Sequence, residues 1–230
     1  MQTQALQILY EDNHLIAVNK RPSDIVQGDK TGDTPLSERV SDLLKERHNK
    51  PGKAFVGVVH RLDRPVSGVL LLAKTGKALG RMNELFRKGD ILKTYWAVVE
   101  NEPPELESNL LHYLVKHAKN NKSYLSPNRK EGYKEARLTY RFIGKTQNYS
   151  FLEIDLHTGR HHQIRAQFAA IGCPVKGDLK YGSKRSNMDA SICLHARSIS
   201  FIHPVRKTEL NINAPPPDEA LWQACAEMLT

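Results

Sequence analysis

The chain has 230 residues, of which 40% are hydrophobic and 26% charged, a composition that excludes a disordered or fibrous chain and supports a folded core. Lys and Arg number 34 against 25 Asp and Glu, and the net charge of +9 favours a polyanionic partner such as nucleic acid. The three cysteines, Cys173, Cys193 and Cys225, form no Cys-x-x-Cys pair, which argues against a disulfide framework or a cysteine zinc site and fits a reducing cytoplasm.

The first half of the chain predicts strands and helices in alternation. The predicted elements are two short strands over 8–20, a helix over 34–47, strands over 55–59 and 68–74, a helix over 75–90 and a strand over 91–100. Thr34 is the expected cap of the first helix, with Pro35 at its first helical position, and Gly89 ends the second. The opening residues do not resemble a signal peptide, and the apolar run VLLLA is too short to span a membrane.

The second half is richer in strands. We predict a hairpin with a basic tip over 109–127, strands over 133–146 and 149–159, a helix over 159–172, strands over 192–204 and 208–214, and a closing helix over 218–229. Hairpin-length connections dominate, which favours an α+β fold with a mixed, largely antiparallel central sheet and flanking helices. We expect one domain over 1–230, which can consist of two fused subdomains.

Asp63 lies between two arginines in the turn HRLDR, residues 60–64. An aspartate is ionised at neutral pH, so as a nucleophile it needs a fixed position and a neighbouring cation, but no base. Arg61, Arg64 or an arginine from elsewhere could supply that cation. The alternative is a turn aspartate that caps its own backbone amides, and these five residues alone favour that alternative.

Tyr95 and Lys93 share one face of the predicted strand over 91–100. A tyrosine ring can stack on a flipped base while a lysine reaches a phosphate. The alternative is an ordinary half-buried strand tyrosine, which the local sequence favours.

The segment HTGRHHQIRAQ, residues 157–167, contains three histidines. A metal site at His157 and His161 is disfavoured, because a Thr-Gly pair between them breaks regular structure and no acidic residue lies at ligand spacing. A helix that begins near Gly159 would instead present free amides, Arg160 and His161 to an anion.

Two further basic features follow in the chain. Arg165 lies beside Ile164 on the predicted amphipathic helix, so its side chain is expected to point partly inward, where an arginine needs a carboxylate partner. Lys176 and Lys180 lie in the basic, glycine-containing loop PVKGDLKYGSKRSN. That loop is either an RNA-backbone contact or simply a solvated loop.

Five segments carry a further signal when they are read in order. They are ILYEDNHLIAVNKRPSDIV, HRLDRPVSG, KTYWAVVE, LHTGRHHQIRAQFAAIGCPVKGDLKYG and LHARSISFIHP. Together they resemble the motifs of the RluA-type pseudouridine synthases, among them HRLDxxTSG, a Lys-x-Tyr strand and TGRTHQIR. The resemblance covers nearly the whole chain, and it rests on the ordered set rather than on HRLD alone.

The resemblance implies a pseudouridine synthase-like catalytic domain that converts uridine in tRNA or rRNA to pseudouridine, without metal or cofactor. By motif position, Asp63 corresponds to the family's nucleophile and Tyr95 to the tyrosine that packs on the target base. Arg165 corresponds to the arginine that pairs with the catalytic carboxylate, and Arg61 to the arginine that helps to displace the base. The base must detach, rotate and reattach without escaping, which needs a carboxylate, a stacking surface and an extruded nucleotide.

The chain also departs from the family pattern. Val66 and His161 stand where threonine is usual, so the resemblance does not determine the shape of the RNA cleft. Because residues 7–10 already resemble the first catalytic strand, we expect no separate N-terminal RNA-binding domain. We also expect a monomer, as the default, and no obligate protein partner. Two rivals are a non-catalytic RNA-binding protein with the same fold, and a metal-dependent nuclease that uses the histidines.

Overall fold

The computed structural model describes residues 5–28, 32–49 and 51–229. Four α-helices lie in these ranges: α1 (Leu36–Arg47), α2 (Gly76–Lys88), α3 (Gln163–Ala170) and α4 (Ala220–Glu227). The strands there are β1 (Ile8–Glu11), β2 (Leu15–Lys20), β3 (Gly57–Val58), β4 (Ser67–Ala73), β5 (Ile91–Glu100), β6 (Glu107–His117), β7 (Lys122–Ser126), β8 (Lys134–Lys145), β9 (Tyr149–Leu156), β10 (Leu194–Ile202) and β11 (Glu209–Asn213). The strands pair antiparallel in β1–β2, β2–β4, β3–β4, β10–β11, β5–β9, β9–β8, β8–β6 and β6–β7, and the predicted α+β class is confirmed.

The chain divides into two compact units. The first unit comprises Met1–Ile91 and Arg197–Pro215, and the second comprises Leu92–Ala196 and Pro216–Thr230. The chain therefore passes between the units three times, within β5, within β10 and after Pro215.

In the first unit, β2 and β4 are central strands with both faces covered. Neighbours run in the order β1, β2, β4 and β10, while β3 pairs with β4 and β11 with β10. Alternate residues of β2 and β4 enter two different cores, because successive side chains of a strand point to opposite faces. One core packs Leu15 and Leu71 with Met82 of α2, and the other packs Ile16 and Leu72 with α1.

In the second unit, antiparallel neighbours run in the order β5, β9, β8, β6 and β7. The α3 helix packs against β6 and β7, where Ala166 joins a core with Leu114 and Ala136. A second core packs Trp96 and Phe151 against Trp222 of α4. The hairpin predicted over 109–127 is thus present as β6 and β7.

Helix ends show where sequence patterns were right and where they were wrong. Thr75 caps α2 as its hydroxyl accepts a hydrogen bond from the Ala78 amide, and Gly89 ends that helix in the left-handed region. Thr34, however, is not the cap of α1. Pro35 occupies that position, and the carbonyl oxygens of Ile25 and Val26 accept the hydrogen bonds of the first helical amides instead.

The start of α3 is a second correction. The helix begins at Gln163 rather than near Gly159, because His162 adopts a left-handed backbone with φ of 53°. Arg160 and His161 therefore lie in a turn before a helix of eight residues, and not in its first turn. The strand predicted over 55–59 is likewise shorter and comprises Gly57–Val58 alone.

Candidate active site

The first half of the candidate site is the loop that joins β3 to β4 and carries Asp63. Asp63 is half-buried, and its carbonyl oxygen accepts a hydrogen bond of 3.0 Å from the Val66 amide. Leu62 and Val66, on either side, are buried. The loop is thus a closed turn with apolar anchors, which limits how far the carboxylate can move.

Lys20, at the end of β2, forms hydrogen bonds with this turn. Its side chain is fully buried, and Nζ donates hydrogen bonds to the carbonyl oxygens of Arg21 (2.9 Å), Arg64 (3.0 Å) and Val66 (2.6 Å). A protonated lysine has three N–H groups, so each carbonyl receives one. Burial lowers the pKa of Lys20 to about 7, against the opposing carboxylates of Asp24 and Asp63.

His60 fixes the other end of the turn. The Leu71 amide of β4 donates a hydrogen bond of 3.0 Å to His60 Nε2, and the imidazole stacks on Phe86 of α2 with 5.2 Å between ring centroids. Nε2 must be unprotonated to accept this bond. The residues of HRLDRP are therefore attached to β2, β4 and α2.

The two arginines beside Asp63 lie at the surface. Arg61 is exposed, and Arg64 forms an ion pair with Asp33 at 2.6 Å. Both members of that pair are about half exposed, so solvent screening leaves it little energy of its own.

The second unit contains the predicted inward arginine, and its side chain is buried. Arg165 Nε donates to Asp178 Oδ2 at 2.6 Å, and Nη2 donates to Oδ1 at 2.9 Å. The exposed fraction is 7% for the arginine side chain and 1% for the aspartate. A bidentate pair fixes the plane of the guanidinium, and each charge would be costly to bury without the other.

Tyr181 extends this pair into a buried polar network. Its ring lies 5.2 Å from the Arg165 guanidinium carbon, and its hydroxyl accepts a hydrogen bond of 2.8 Å from the Ser123 amide. His162 Nδ1 lies 3.0 Å from the same hydroxyl. Burial raises the pKa of Tyr181, so the phenol stays neutral and can donate as well as accept. The network joins α3 to β7.

Tyr95 and Lys93 lie on one face of β5, as the alternation predicts. Tyr95 is 9% exposed and pairs with Ile154 of β9. Lys93 is half-buried, and burial lowers its pKa. A cation and an aromatic ring are thus adjacent on a surface that is largely removed from water.

The remaining basic candidates make contacts within the protein. Arg160 Nε donates to the Glu135 carbonyl at 2.7 Å, and Lys180 Nζ to the Asn121 carbonyl at 3.2 Å. His161 stacks on His162 at 3.7 Å, while Lys176 Nζ donates to Asn187 Oδ1 at 2.5 Å. These side chains fasten the β6–β7 hairpin and the loop after α3.

The histidines suggested as metal ligands have other partners. His157 Nε2 lies 2.8 Å from the Thr139 hydroxyl, and His161 Nδ1 lies 2.9 Å from that of Ser123. Among residues 5–28, 32–49 and 51–229 there is no group of three or more His, Cys, Asp or Glu side chains placed to hold a metal ion. Nor does this part of the chain contain a helix that is both long and apolar enough to cross a membrane.

Residues 14–170 match the RNA pseudouridylate synthase family. The chain belongs to this family. An uncharacterized RNA pseudouridine synthase of Synechocystis sp. is 34% identical over 219 residues, which are 92% of this chain and 66% of the relative. The ribosomal large subunit pseudouridine synthase C of Vibrio cholerae is 32% identical over 90% of this chain and 65% of its own length. The chain thus spans about two thirds of each relative.

A solved structure shows the same fold. Human RNA pseudouridylate synthase domain containing 4 superposes with a TM-score of 0.78 at 23% sequence identity, over 97% of this chain and 92% of the human chain. The predicted membership of the pseudouridine synthase family is therefore confirmed in both sequence and fold.

Three residues of the candidate site were not identified from the sequence. Lys20 ends the predicted strand pair, and its local sequence does not predict burial, because lysine is almost never fully buried unless it is paired. Asp178 is the only acidic residue of the loop PVKGDLKYGSKRSN, and the need of Arg165 for a carboxylate could have identified it. Tyr181, like Asp178, lies in the family-like segment that ends in KGDLKYG, and that motif is the signal that could have identified it.

The lowered pKa of Lys20 predicts a pH-dependent stability. An unfolded lysine titrates near 10.4, so between pH 7 and about 10 the unfolded chain binds the extra proton. The free energy of unfolding of wild type minus that of Lys20→Met should therefore rise with pH in this window, by at most about 1.4 kcal/mol per pH unit. Urea unfolding at pH 7, 8 and 9 measures it. The exposed Lys45→Met variant should show no slope, and a flat result for Lys20→Met would refute the expectation.

The buried pair in the second unit predicts a large effect of one substitution. Asp178→Asn removes the carboxylate that forms the bidentate pair with Arg165 and should lower the free energy of unfolding by roughly 3–5 kcal/mol. The double variant Arg165→Met with Asp178→Leu removes both charges and should recover part of that loss. Chemical denaturation of the three proteins provides the comparison. A loss below about 1 kcal/mol in Asp178→Asn would show that the pair is dispensable.

Proposed function

We propose that this protein is an RNA pseudouridine synthase, an isomerase in which Asp63 is the nucleophile. One observation carries the proposal: Asp63 lies on a loop attached to Lys20 and His60, inside the segment that matches the family. A carboxylate on a fixed turn meets the two needs of a nucleophile that is already ionised, position and persistence.

The reaction can proceed at a carboxylate without a cofactor or a second substrate. The bond between ribose C1′ and base N1 breaks, the base rotates, and a bond forms between C1′ and C5. The hydrogen on C5 leaves as a proton, and N1 gains one. Substrate and product have the same atoms, so the reaction consumes no oxidant, reductant or second substrate. Asp63 would hold the sugar or the ring covalently while the base turns.

Tyr95 and Arg165 receive their roles by motif position. Tyr95 would pack against the target base, because its ring is nearly dry and its neighbour Lys93 can attract a phosphate. Arg165 would hold the catalytic carboxylate ionised, and the bonds to Asp178 fix its guanidinium in one orientation. Arg61, exposed at the surface, would help to displace the base from its helix.

Ribosomal RNA of the large subunit is the proposed substrate. The relative from Vibrio cholerae bears that substrate in its name, as does the ribosomal large subunit pseudouridine synthase D of Zymomonas mobilis. Arg160, Lys176 and Lys180 would contribute positive charge to the RNA surface, and His161 a polar contact, in addition to their contacts within the protein. Transfer RNA, which the sequence left open, is the comparison in the test below.

Asp63→Asn tests the nucleophile. The amide keeps the size of the side chain but removes its charge, so the variant should bind RNA as wild type does and form no pseudouridine. Release of tritium from RNA labelled at uridine C5 measures turnover, and a filter assay measures binding. Asp42→Asn, an exposed aspartate of α1, is the matched control and should retain full activity. Substantial turnover by Asp63→Asn would refute the assignment, and an inactive wild type would favour a non-catalytic RNA-binding protein.

The substrate is tested by mapping pseudouridines in total RNA from cells with and without the gene. One or more sites in large-subunit ribosomal RNA should disappear on deletion. Those sites should return with the wild-type gene and not with Asp63→Asn. Loss of sites in transfer RNA alone would contradict the ribosomal assignment while leaving the isomerase activity intact.

A further inference from the structure

The three-stranded end of the second unit has one covered face and one open face. Leu114, Leu125 and Ala136 point to the α3 side, where they pack with Ala166 and Ala169. The residues between them in sequence point the other way, because side chains alternate along a strand. The outer face of β7, β6 and β8 is therefore the face opposite α3.

That outer face is aromatic. Tyr113 lies opposite Ser126 of β7 and opposite Glu135 of β8, while Val115 lies opposite Tyr124. Residues paired across a ladder share a face, so the two tyrosines lie on the same side of the sheet. Leu111, which is 51% exposed, and Tyr124, which is 44% exposed, show that this side faces solvent. Because these rings lie on an open sheet face, core packing does not explain why they are aromatic.

The connection between β7 and β8 forms a pocket on this face. Because β6 lies between those two strands, residues 127–133 must cross it, and they do so at the level of Tyr113. Tyr113, Arg129, Tyr133 and Glu135 line a pocket of about 200 Å³. This volume is several times the roughly 30 Å³ that a water molecule occupies in the liquid, and it is smaller than a typical site for a whole drug-sized ligand. It suits one flat ring.

Cations outnumber carboxylates around the pocket. Arg129 and Lys130 lie on the crossing connection and Arg137 lies opposite Leu111 on the outer face, against two acidic residues, Glu131 and Glu135. Lys130 Nζ lies 6.0 Å from the Tyr133 ring centroid. Aromatic rings surrounded by cations are the combination that binds single-stranded nucleic acid, since rings stack on bases and cations attract the backbone.

We propose that the outer face of β7, β6 and β8 binds a single-stranded segment of RNA, with one base stacked between Tyr113 and Tyr133 and its phosphate at Arg129. This inference rests on the proposed function and adds a second contact with the same RNA, outside the reaction site. Glu135 favours a base with an exocyclic amino group, because a carboxylate accepts a hydrogen bond from such a group. Its Oε1 pairs with Arg137 at 3.0 Å, which orients the carboxylate.

Binding of a fluorescein-labelled oligo(C) to stacking variants tests the pocket. Tyr133→Ala should weaken binding at least fivefold, which is about 1 kcal/mol, whereas Tyr133→Phe keeps the ring and should bind as wild type does. Tyr133 lies in a loop, so its removal leaves the strands intact. Tyr113→Ala and Tyr113→Phe repeat the comparison. Fluorescence anisotropy at constant salt gives the dissociation constants.

Three results would overturn the stacking site. Tyr133→Ala could bind oligo(C) with the same affinity as wild type, or Tyr133→Phe could lose as much affinity as Tyr133→Ala. The third is that wild type does not bind oligo(C). Tritium release from folded RNA by the wild-type enzyme is measured in parallel, so a failure of this site is distinguished from a failure of the synthase activity.

Photocrosslinking of a 5-bromocytosine oligonucleotide to wild type should map to residues 113 and 129–135. Crosslinks confined to other peptides would contradict the proposal without any variant.

The role of Glu135 has its own comparison. Wild type should bind oligo(C) more tightly than oligo(U), because uracil has no amino group to donate to the carboxylate. Glu135→Val should bind the two oligonucleotides alike. Equal binding by wild type, or a preference that persists in Glu135→Val, would show that Glu135 does not read the base.

Discussion

A single buried lysine side chain fixes the turn that carries Asp63, the proposed nucleophile. Lys20 joins the end of β2 to the turn that carries Asp63 by donating to two of that turn's carbonyl oxygens. Burying an amine costs free energy unless its hydrogen bonds are replaced, and here three carbonyls replace them. Without the lysine, the same carbonyls would lose these hydrogen bonds. The turn and the amine therefore stabilise each other, and the position of the carboxylate follows from both.

The second unit uses the same principle with opposite charges. Arg165 and Asp178 are almost fully removed from water, and each is tolerable there because of the other. Tyr181 packs against the guanidinium and connects the pair to the Ser123 backbone. In both units, then, the groups assigned to chemistry are positioned by polar contacts that are expensive to break. Apolar packing supplies the strands around them but does not determine where a charged atom lies.

The sequence predicted those parts of the fold that depend on local pattern. The apolar runs of β2 and β4, the Thr75 cap and Gly89 stop of α2, and the hairpin of β6 and β7 each follow from periodicity or turn chemistry. The motif order predicted the family, and Arg165 was correctly expected to be buried. The start of α3 was missed because it depends on the left-handed backbone of His162, a non-glycine residue that gives no warning of such a conformation.

Features that depend on residues distant in sequence could not be predicted. Thr34 is not the cap of α1, because the carbonyl oxygens of Ile25 and Val26 accept the hydrogen bonds of the first α1 amides. The aromatic pocket combines β6, β8 and a crossing loop, and it exists only because β6 lies between its two sequence successors.

The decisive measurement is the single-turnover rate of pseudouridine formation by Lys20→Met at saturating RNA, at a temperature where circular dichroism shows the variant folded. If Lys20 fixes the Asp63 turn, the rate should fall on the order of 100-fold, because small displacements of a reacting group have effects of that size. RNA affinity should change little. A rate within about twofold of wild type would mean that the carboxylate does not depend on the lysine, and the link between this buried amine and catalysis would be wrong.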